Sequence, residues 1–138
     1  MKKVNYISGF ELNTPSWDEL LFNLNSSVIK DELVKNPSPG FWVCHNAERI
    51  KRVQYVLKKL KLVHAHLYIS LLKNSPTFGK HSDGVDVWFW QVRGSSKWTI
   101  NDQKEYILKE GDLIYVPKEI PHNVTPLGPR AGISMSYE

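Results

Sequence analysis

The stretch His81-Ser82-Asp83-Gly84-Val85-Asp86-Val87-Trp88-Phe89-Trp90-Gln91-Val92-Arg93-Gly94 sets the reading of the whole chain. It passes from a polar triplet into residues 85–92, almost wholly apolar or aromatic, and ends at a glycine. A run of this length, rich in Val, Trp and Phe and closed by Gly, is a β-strand buried on both faces. Successive side chains on a strand point to opposite sides. Trp88 and Trp90 therefore share one face and Phe89 and Gln91 the other, so that one pair enters an interior and the other packs on a neighbouring layer.

Outward from this strand the C-terminal half keeps a β pattern. Residues 64–72, 97–100, 105–108, 113–116 and 133–137 read as further strands, and Asn101-Asp102-Gln103-Lys104 is a polar turn between two of them. Short strands divided by Gly, Pro and Asn turns make a sandwich or barrel. The N-terminal part has another period. Ser16-Trp17-Asp18-Glu19 is a helix start with Ser16 as cap and Glu19 reaching back, followed by Leu20, Leu21 and Leu24. Asn36-Pro37-Ser38-Pro39-Gly40 breaks regular structure. Across residues 47–60, Ile50, Val53, Leu57 and Leu60 recur at helical spacing. Lys51, Arg52, Lys58 and Lys59 fall on the opposite side, either as a solvated face or as an RNA-binding patch. The expected fold class is α+β, mainly β: a single domain with a helical part over residues 1–61 and a β-barrel core over residues 62–138.

Composition bounds the function. A chain of 138 residues with 41% hydrophobic content is long enough for one buried core and too apolar for disorder. The net charge of +4 permits an acidic partner such as RNA without requiring one. Cys44 is the single cysteine, which excludes an intrachain disulfide and points to a reducing compartment. No run approaches the roughly 20 apolar residues that cross a bilayer. A cytoplasmic protein with no membrane partner is expected.

The chemistry lies in three residues. His81 and Asp83 stand at i and i+2, so on an extended chain both reach the same side and can grip one ion. His122 ends Gly111-Asp112-Leu113-Ile114-Tyr115-Val116-Pro117-Lys118-Glu119-Ile120-Pro121-His122, in which Gly111 allows a tight bend and Pro117 ends a strand. Two imidazoles and a carboxylate cap one face of an octahedral metal and leave three positions open, the arrangement of non-haem Fe(II) oxygenases. The plainer alternative is a set of surface polar residues near turns. Lesser candidates are the His64-Ala65-His66 pair as ligands, Cys44-His45 as thiol and base, and Asp86 as an acceptor for a ligating imidazole or as a loop cap.

These motifs resemble a family. The 81–88 segment, Gln91-Val92-Arg93-Gly94-Ser95-Ser96-Lys97-Trp98, the Gly111–His122 pattern and Ser134-Met135-Ser136 are similar to the cupin-type Jumonji-C oxygenases, above all the ribosomal-protein hydroxylases, over residues 67–137. The resemblance implies a double-stranded β-helix, Fe(II) held by His81, Asp83 and His122, and 2-oxoglutarate as co-substrate. It implies hydroxylation of a substrate coupled to decarboxylation of 2-oxoglutarate, with Tyr68 and Phe89 at the co-substrate and Phe89 and Gln91 as the inward pair.

Two departures qualify what the resemblance implies. The family anchors the far carboxylate of 2-oxoglutarate with a Lys or Arg fifteen residues after the first His. Here Ser96 stands there and Lys97 one place later, a shift that turns a strand side chain to the other face. A bulge would bring Lys97 inward as a co-substrate ligand; otherwise Arg93 or Lys73 substitutes, or the co-substrate differs. The dimerisation and winged-helix parts that follow the barrel in these hydroxylases also lie outside the sequence. That favours a small-molecule substrate, or a protein substrate held with a partner's surface; ribosome or RNA association and a homodimer are the partners the reading admits. The remaining alternatives are a metal-binding cupin that does not use 2-oxoglutarate and a non-catalytic cupin binding module.

Overall fold

The structure, a computed structural model, describes residues 2–30, 34–73 and 75–138. In chain order they form β1 (Asn5–Ile7), α1 (Trp17–Ile29), β2 (Val34–Ser38), β3 (Phe41–Cys44), α2 (Lys51–Leu60), β4 (His64–Ser70), β5 (Val87–Arg93), β6 (Ser96–Ile100), β7 (Lys104–Leu108), β8 (Leu113–Val116), β9 (His122–Pro126) and β10 (Arg130–Ser136). Seven strands pair antiparallel in the order β1-β8-β5-β10-β4-β3-β2, and three in the order β7-β6-β9. The two sheets face one another as a jelly-roll, or double-stranded β-helix, with both helices on the outer side of the larger sheet. The expected α+β, mainly β class is the one observed.

Strict alternation along the central strands builds two cores. Leu67 and Ile69 of β4, Trp90 and Val92 of β5 and Ala131 and Ile133 of β10 face the helices, where they meet Leu20, Val53, Val56 and Leu57. Their neighbours face the smaller sheet, where Phe89, Ile114 and Val116 pack against Trp98, Ile100 and Leu108. Phe89 comes close to β10 because residue 132 is glycine: a Cβ there would collide with the Phe89 ring. Phe89 and Gln91 are thus the inward pair, while Trp88 and Trp90 pack on the helix side.

The helix start at Ser16 has the reciprocal geometry that the sequence suggests. Glu19 N donates to Ser16 Oγ at 3.1 Å, and Ser16 N donates to Glu19 Oε1 at 3.1 Å. The β6–β7 hairpin turns through Asn101 (φ 53°) and Asp102 (φ 57°), the doubly left-handed pair of a type I′ turn.

Residues 1–61 are not a purely helical part. They also supply β1, β2 and β3, which extend both ends of the larger sheet. These strands are three to five residues long, too short to show a period of their own. The helix expected from residue 47 begins only at Lys51, because Ile50 is extended (φ −74°, ψ 124°) and separates it from a 3-10 turn over Ala47–Arg49. No helix among the described residues is long and apolar enough to cross a membrane.

Candidate metal centre

His81 and His122 are brought together by backbone pairing. The two residues form an isolated antiparallel bridge, with His81 N donating to His122 O at 2.9 Å and His122 N donating to His81 O at 2.8 Å. Their rings lie 4.4 Å apart between centroids. The loop from His81 to β5 then brings Asp83 round to both imidazoles: His81 Nε2 is 3.7 Å from Asp83 Oδ1, and His122 Nε2 is 3.4 Å from Asp83 Oδ2. One ligand atom from each residue lies within 4.8 Å of the others, and among the described residues no other trio of His, Cys, Asp or Glu meets that condition.

The hydrogen bonds fix which nitrogen faces the centre. His81 Nδ1 is 2.9 Å from Gly79 O, and His122 Nδ1 is 3.0 Å from Ile120 O. A carbonyl only accepts, so both Nδ1 atoms carry their protons. A ring that is neutral with Nδ1 protonated has its lone pair on Nε2, where an ion held beside Asp83 would meet it. A carbonyl holding the far nitrogen is the usual outer support of a ligating histidine. Trp98 stacks on His122 at 5.5 Å and 20°, and Phe78 meets His81 edge-on at 5.8 Å, so both rings are held in orientation as well as in place. The His122 side chain holds the Asp83 carboxyl below its ordinary range, against the opposing effect of burial. The donor set suits a divalent ion that accepts nitrogen and oxygen and leaves coordination positions free.

The trio opens on a narrow cleft between the two sheets, with about 30 Å³ open to the centre of a water-sized sphere, lined by Phe41, Tyr68, Phe78, Phe89, Trp98 and, on its polar side, Arg130 and Ser134. Tyr68 and Phe89, two of the three expected co-substrate residues, lie on this cleft. Lys97, the third, does not, and the expectation is corrected. β6 runs in unbroken register against β7 and β9, so no bulge re-aims it. Ser96 points inward, its hydroxyl donating to Gln91 Oε1 at 2.8 Å, whereas Lys97 points outward to Glu105 at 3.4 Å. Neither proposed substitute reaches the cleft either: Arg93 donates to Pro15 O and faces Glu110, and Lys73 is exposed.

A cation nevertheless enters the cleft, from a position the sequence reading passed over. Arg130, at the start of β10, is 1% exposed. Its Nε donates to Ser70 Oγ at 3.0 Å, its guanidinium lies 5.7 Å from the Phe41 ring and 6.0 Å from the Phe89 ring, and its Nη1 is buried without a partner among the described residues. Burial lowers its pKa to about 10, and it remains charged at neutral pH. In the sequence its only signal was a charged residue preceding the alternating run 131–135.

The lesser candidates separate in the same way. His66 turns toward His45, with their Nδ1 atoms 3.3 Å apart, while His64 is exposed, so the His64-Ala65-His66 pair does not converge. Cys44 is buried, and its thiol is pushed up to about 11, which leaves no thiolate for nucleophilic chemistry. Asp86 accepts from Lys2 Nζ at 2.6 Å and from Lys118 N at 2.9 Å; it ties the N-terminal segment and a loop, and none of its hydrogen bonds goes to an imidazole.

Fold and site together define a cupin-type barrel with two imidazoles and a carboxylate gathered at one end of its interior. Comparison with known proteins agrees on the fold: the family model described as Cupin domain matches residues 68–131. Among solved structures, YcfD, a ribosomal oxygenase from Escherichia coli in complex with cobalt and 2-oxoglutarate, superposes with a TM-score of 0.78 at 14% identity, covering 99% of this chain and 48% of that one. The same protein with cobalt and succinic acid gives the same values. A cupin superfamily protein from Desulfitobacterium hafniense superposes with a TM-score of 0.55 at 12% identity, covering 75% of this chain and 82% of that one. The chain thus spans about half the length of the ribosomal oxygenase chains it resembles. No curated protein matches it by sequence.

Proposed function

We propose that this protein is an Fe(II)- and 2-oxoglutarate-dependent oxygenase of the Jumonji-C type that hydroxylates a substrate. The observation that carries the reading is the convergence of His81 Nε2, His122 Nε2 and the Asp83 carboxylate, both imidazoles oriented by backbone carbonyls. The likeness to an oxygenase solved with a metal and 2-oxoglutarate supports it at the level of fold. A bound Fe(II) would supply oxygen activation, with 2-oxoglutarate as the source of two electrons. The chain's own residues supply the rest. His81, Asp83 and His122 would hold the ion by one face. Phe41, Phe78, Phe89 and Trp98 wall the cleft with apolar surface that excludes water from the reacting end. Tyr68 presents a hydroxyl that burial keeps protonated, and so able to donate to a bound oxygen atom.

The test is succinate formation from 2-oxoglutarate under air with added Fe(II), with His81→Ala as the blank. Iron-dependent succinate above that blank is expected, and its absence across trial substrates would remove the reading. A second reading, a metal cupin acting without an oxo acid, is favoured by the neutral Ser96 at the position where the resembling enzymes carry a cation. Anaerobic addition of 2-oxoglutarate to the Fe(II)-loaded protein separates the two: a visible charge-transfer band on mixing belongs to the first alone.

A further inference from the structure

We infer that Phe78 is a displaceable plug over the substrate site, and that the group which takes its place is neutral, apolar and the size of a phenyl ring. This rests on the reading of the cleft as the reaction site and adds to it the way in and the class of substrate. The first argument is room. The cleft has about 30 Å³ open to the centre of a water-sized sphere, enough for a water molecule or two and for no organic substrate. A wall must give way before anything larger enters. Phe41, Phe89 and Trp98 are buried, and each stands on a strand paired on both sides. Phe78 is 47% exposed and lies outside any helix or strand. Among the described residues that line the cleft it alone is exposed.

The second argument is where movement is allowed. Thr77 Oγ1 donates to Val124 O at 2.8 Å, and His81 is bridged to His122. The backbone is therefore tied on either side of Phe78, and the side chain is the part that swings. Gly79 follows at φ 75° with nothing within 4 Å of where a Cβ would stand, which leaves open space next to Phe78. The third is what the ring leaves behind. Phe78 meets Phe41 at 5.2 Å and both Tyr68 and His81 at 5.8 Å, each edge to face. The vacated slot is aromatic on two sides and touches the imidazole of a proposed metal ligand on the third, so a group seated in it lies beside the metal centre. A planar or branched apolar group keeps those contacts. A cation does not suit the slot: the Arg130 guanidinium is 5.7 Å from the Phe41 ring, and a divalent ion on the trio would add a second like charge. A carboxylate belongs at those charges rather than between the rings.

Calorimetry on the Co(II)-loaded protein tests this with benzyl alcohol and benzylamine, which share a ring and differ in charge at neutral pH. The wild type is expected to bind the alcohol about tenfold more tightly than the amine, since a buried charge without a counterion is costly. Phe78→Ala should bind the alcohol about tenfold more tightly than the wild type does, because a half-buried ring no longer competes for the slot. With para-fluorophenylalanine at position 78, the fluorine NMR resonance should move to its solvent-exposed shift as benzyl alcohol is added. A fixed wall behaves otherwise: the alcohol binds Phe78→Ala and not the wild type, or it binds while the resonance stays in place. Either outcome overturns the inference, as does equal affinity for alcohol and amine. Acetylphenylalaninamide distinguishes the source of the group: tighter binding than benzyl alcohol assigns it to a polypeptide, weaker binding to a small molecule, and both support the slot. The alcohol titration is repeated on metal-free protein, so failure to bind cobalt or 2-oxoglutarate removes the reading above, whereas failure of the ring compounds removes the plug alone.

Discussion

The two faces of the larger sheet are built from alternate residues of the same strands and serve different ends. On the helix side, Leu67, Ile69, Trp90, Val92, Ala131 and Ile133 form a continuous apolar layer. On the barrel side the intervening positions are Tyr68, Phe89, Gln91, Arg130, Gly132 and Ser134, a set with hydroxyls, an amide, a buried guanidinium and a gap for an aromatic ring. The period-two pleat allows this division. It separates stability from chemistry one residue at a time, so a substitution on one face should be felt mainly in one property.

The largest expected effect is on the barrel side. His122→Ala removes a proposed ligand that is 4% exposed, stacked on Trp98 and tied to Ile120 O. Loss of outer-shell support alone typically costs ~10–100-fold in metal affinity, so loss of the ligand itself should exceed that. Competition titration with Co(II) reads the change, and retention of wild-type affinity would exclude His122 from the centre. Its melting temperature without metal should move far less than its metal affinity.

The helix side should respond in the opposite sense. Trp90 is fully buried, and its Nε1 donates to Glu11 O at 3.1 Å. Trp90→Ala should destabilise the fold by roughly 3–5 kcal/mol, the usual loss for a large core aromatic, measured by urea denaturation. Metal affinity below the unfolding transition should stay within about threefold of wild type. A loss of metal binding in the folded variant would mean that the two faces are coupled through β5, contrary to the division drawn here.

How much of this could be read from the chain follows from the same alternation. The run at residues 85–92 identified a central strand because burial on both faces removes polar residues from it, and the inward pair could be assigned by phase. The convergence of His81, Asp83 and His122 was legible for a related reason: i, i+2 spacing is enough to join His81 and Asp83, and the Gly111–Pro117 segment announced a strand leading to His122. The bridge that sets the two histidines face to face is a long-range backbone contact with no local signal. β1, β2 and β3 were missed because strands of three to five residues with mixed burial carry almost no periodicity. Arg130 was missed because a charged residue at a strand end normally points to water, and only the partner strands show that it points in. Lys97 was an expectation from resemblance that strand phase overruled.

The smallest effect is expected where the two kinds of region meet. His66 continues the barrel-side phase of β4 beyond Tyr68, and His45 follows β3 on the adjoining strand, the rings meeting edge to face at 4.5 Å. With both Nδ1 atoms in contact, one donates and the other accepts. Protonation of the accepting Nδ1 would set two donors against each other, and His45 Nε2 is buried with no acceptor among the described residues for a proton of its own. Burial lowers the pKa of both rings, with Lys35 adding to the effect at His45, and His45 and His64 adding to it at His66 against a smaller opposing pull from Glu48. In both cases the folded value lies below the ordinary 6.5, so the unfolded chain takes up protons first as the pH falls. The contribution of the pair is complete above that value and is lost on acidification below it. The melting temperature of the wild type should therefore fall by a few degrees between pH 7 and pH 5, and His66→Phe, which keeps a ring in the contact without a titrating nitrogen, should show a shallower slope. Equal slopes in the two proteins would mean that the pair titrates as it would in water, and that this end of the sheet belongs to the solvent rather than to either core.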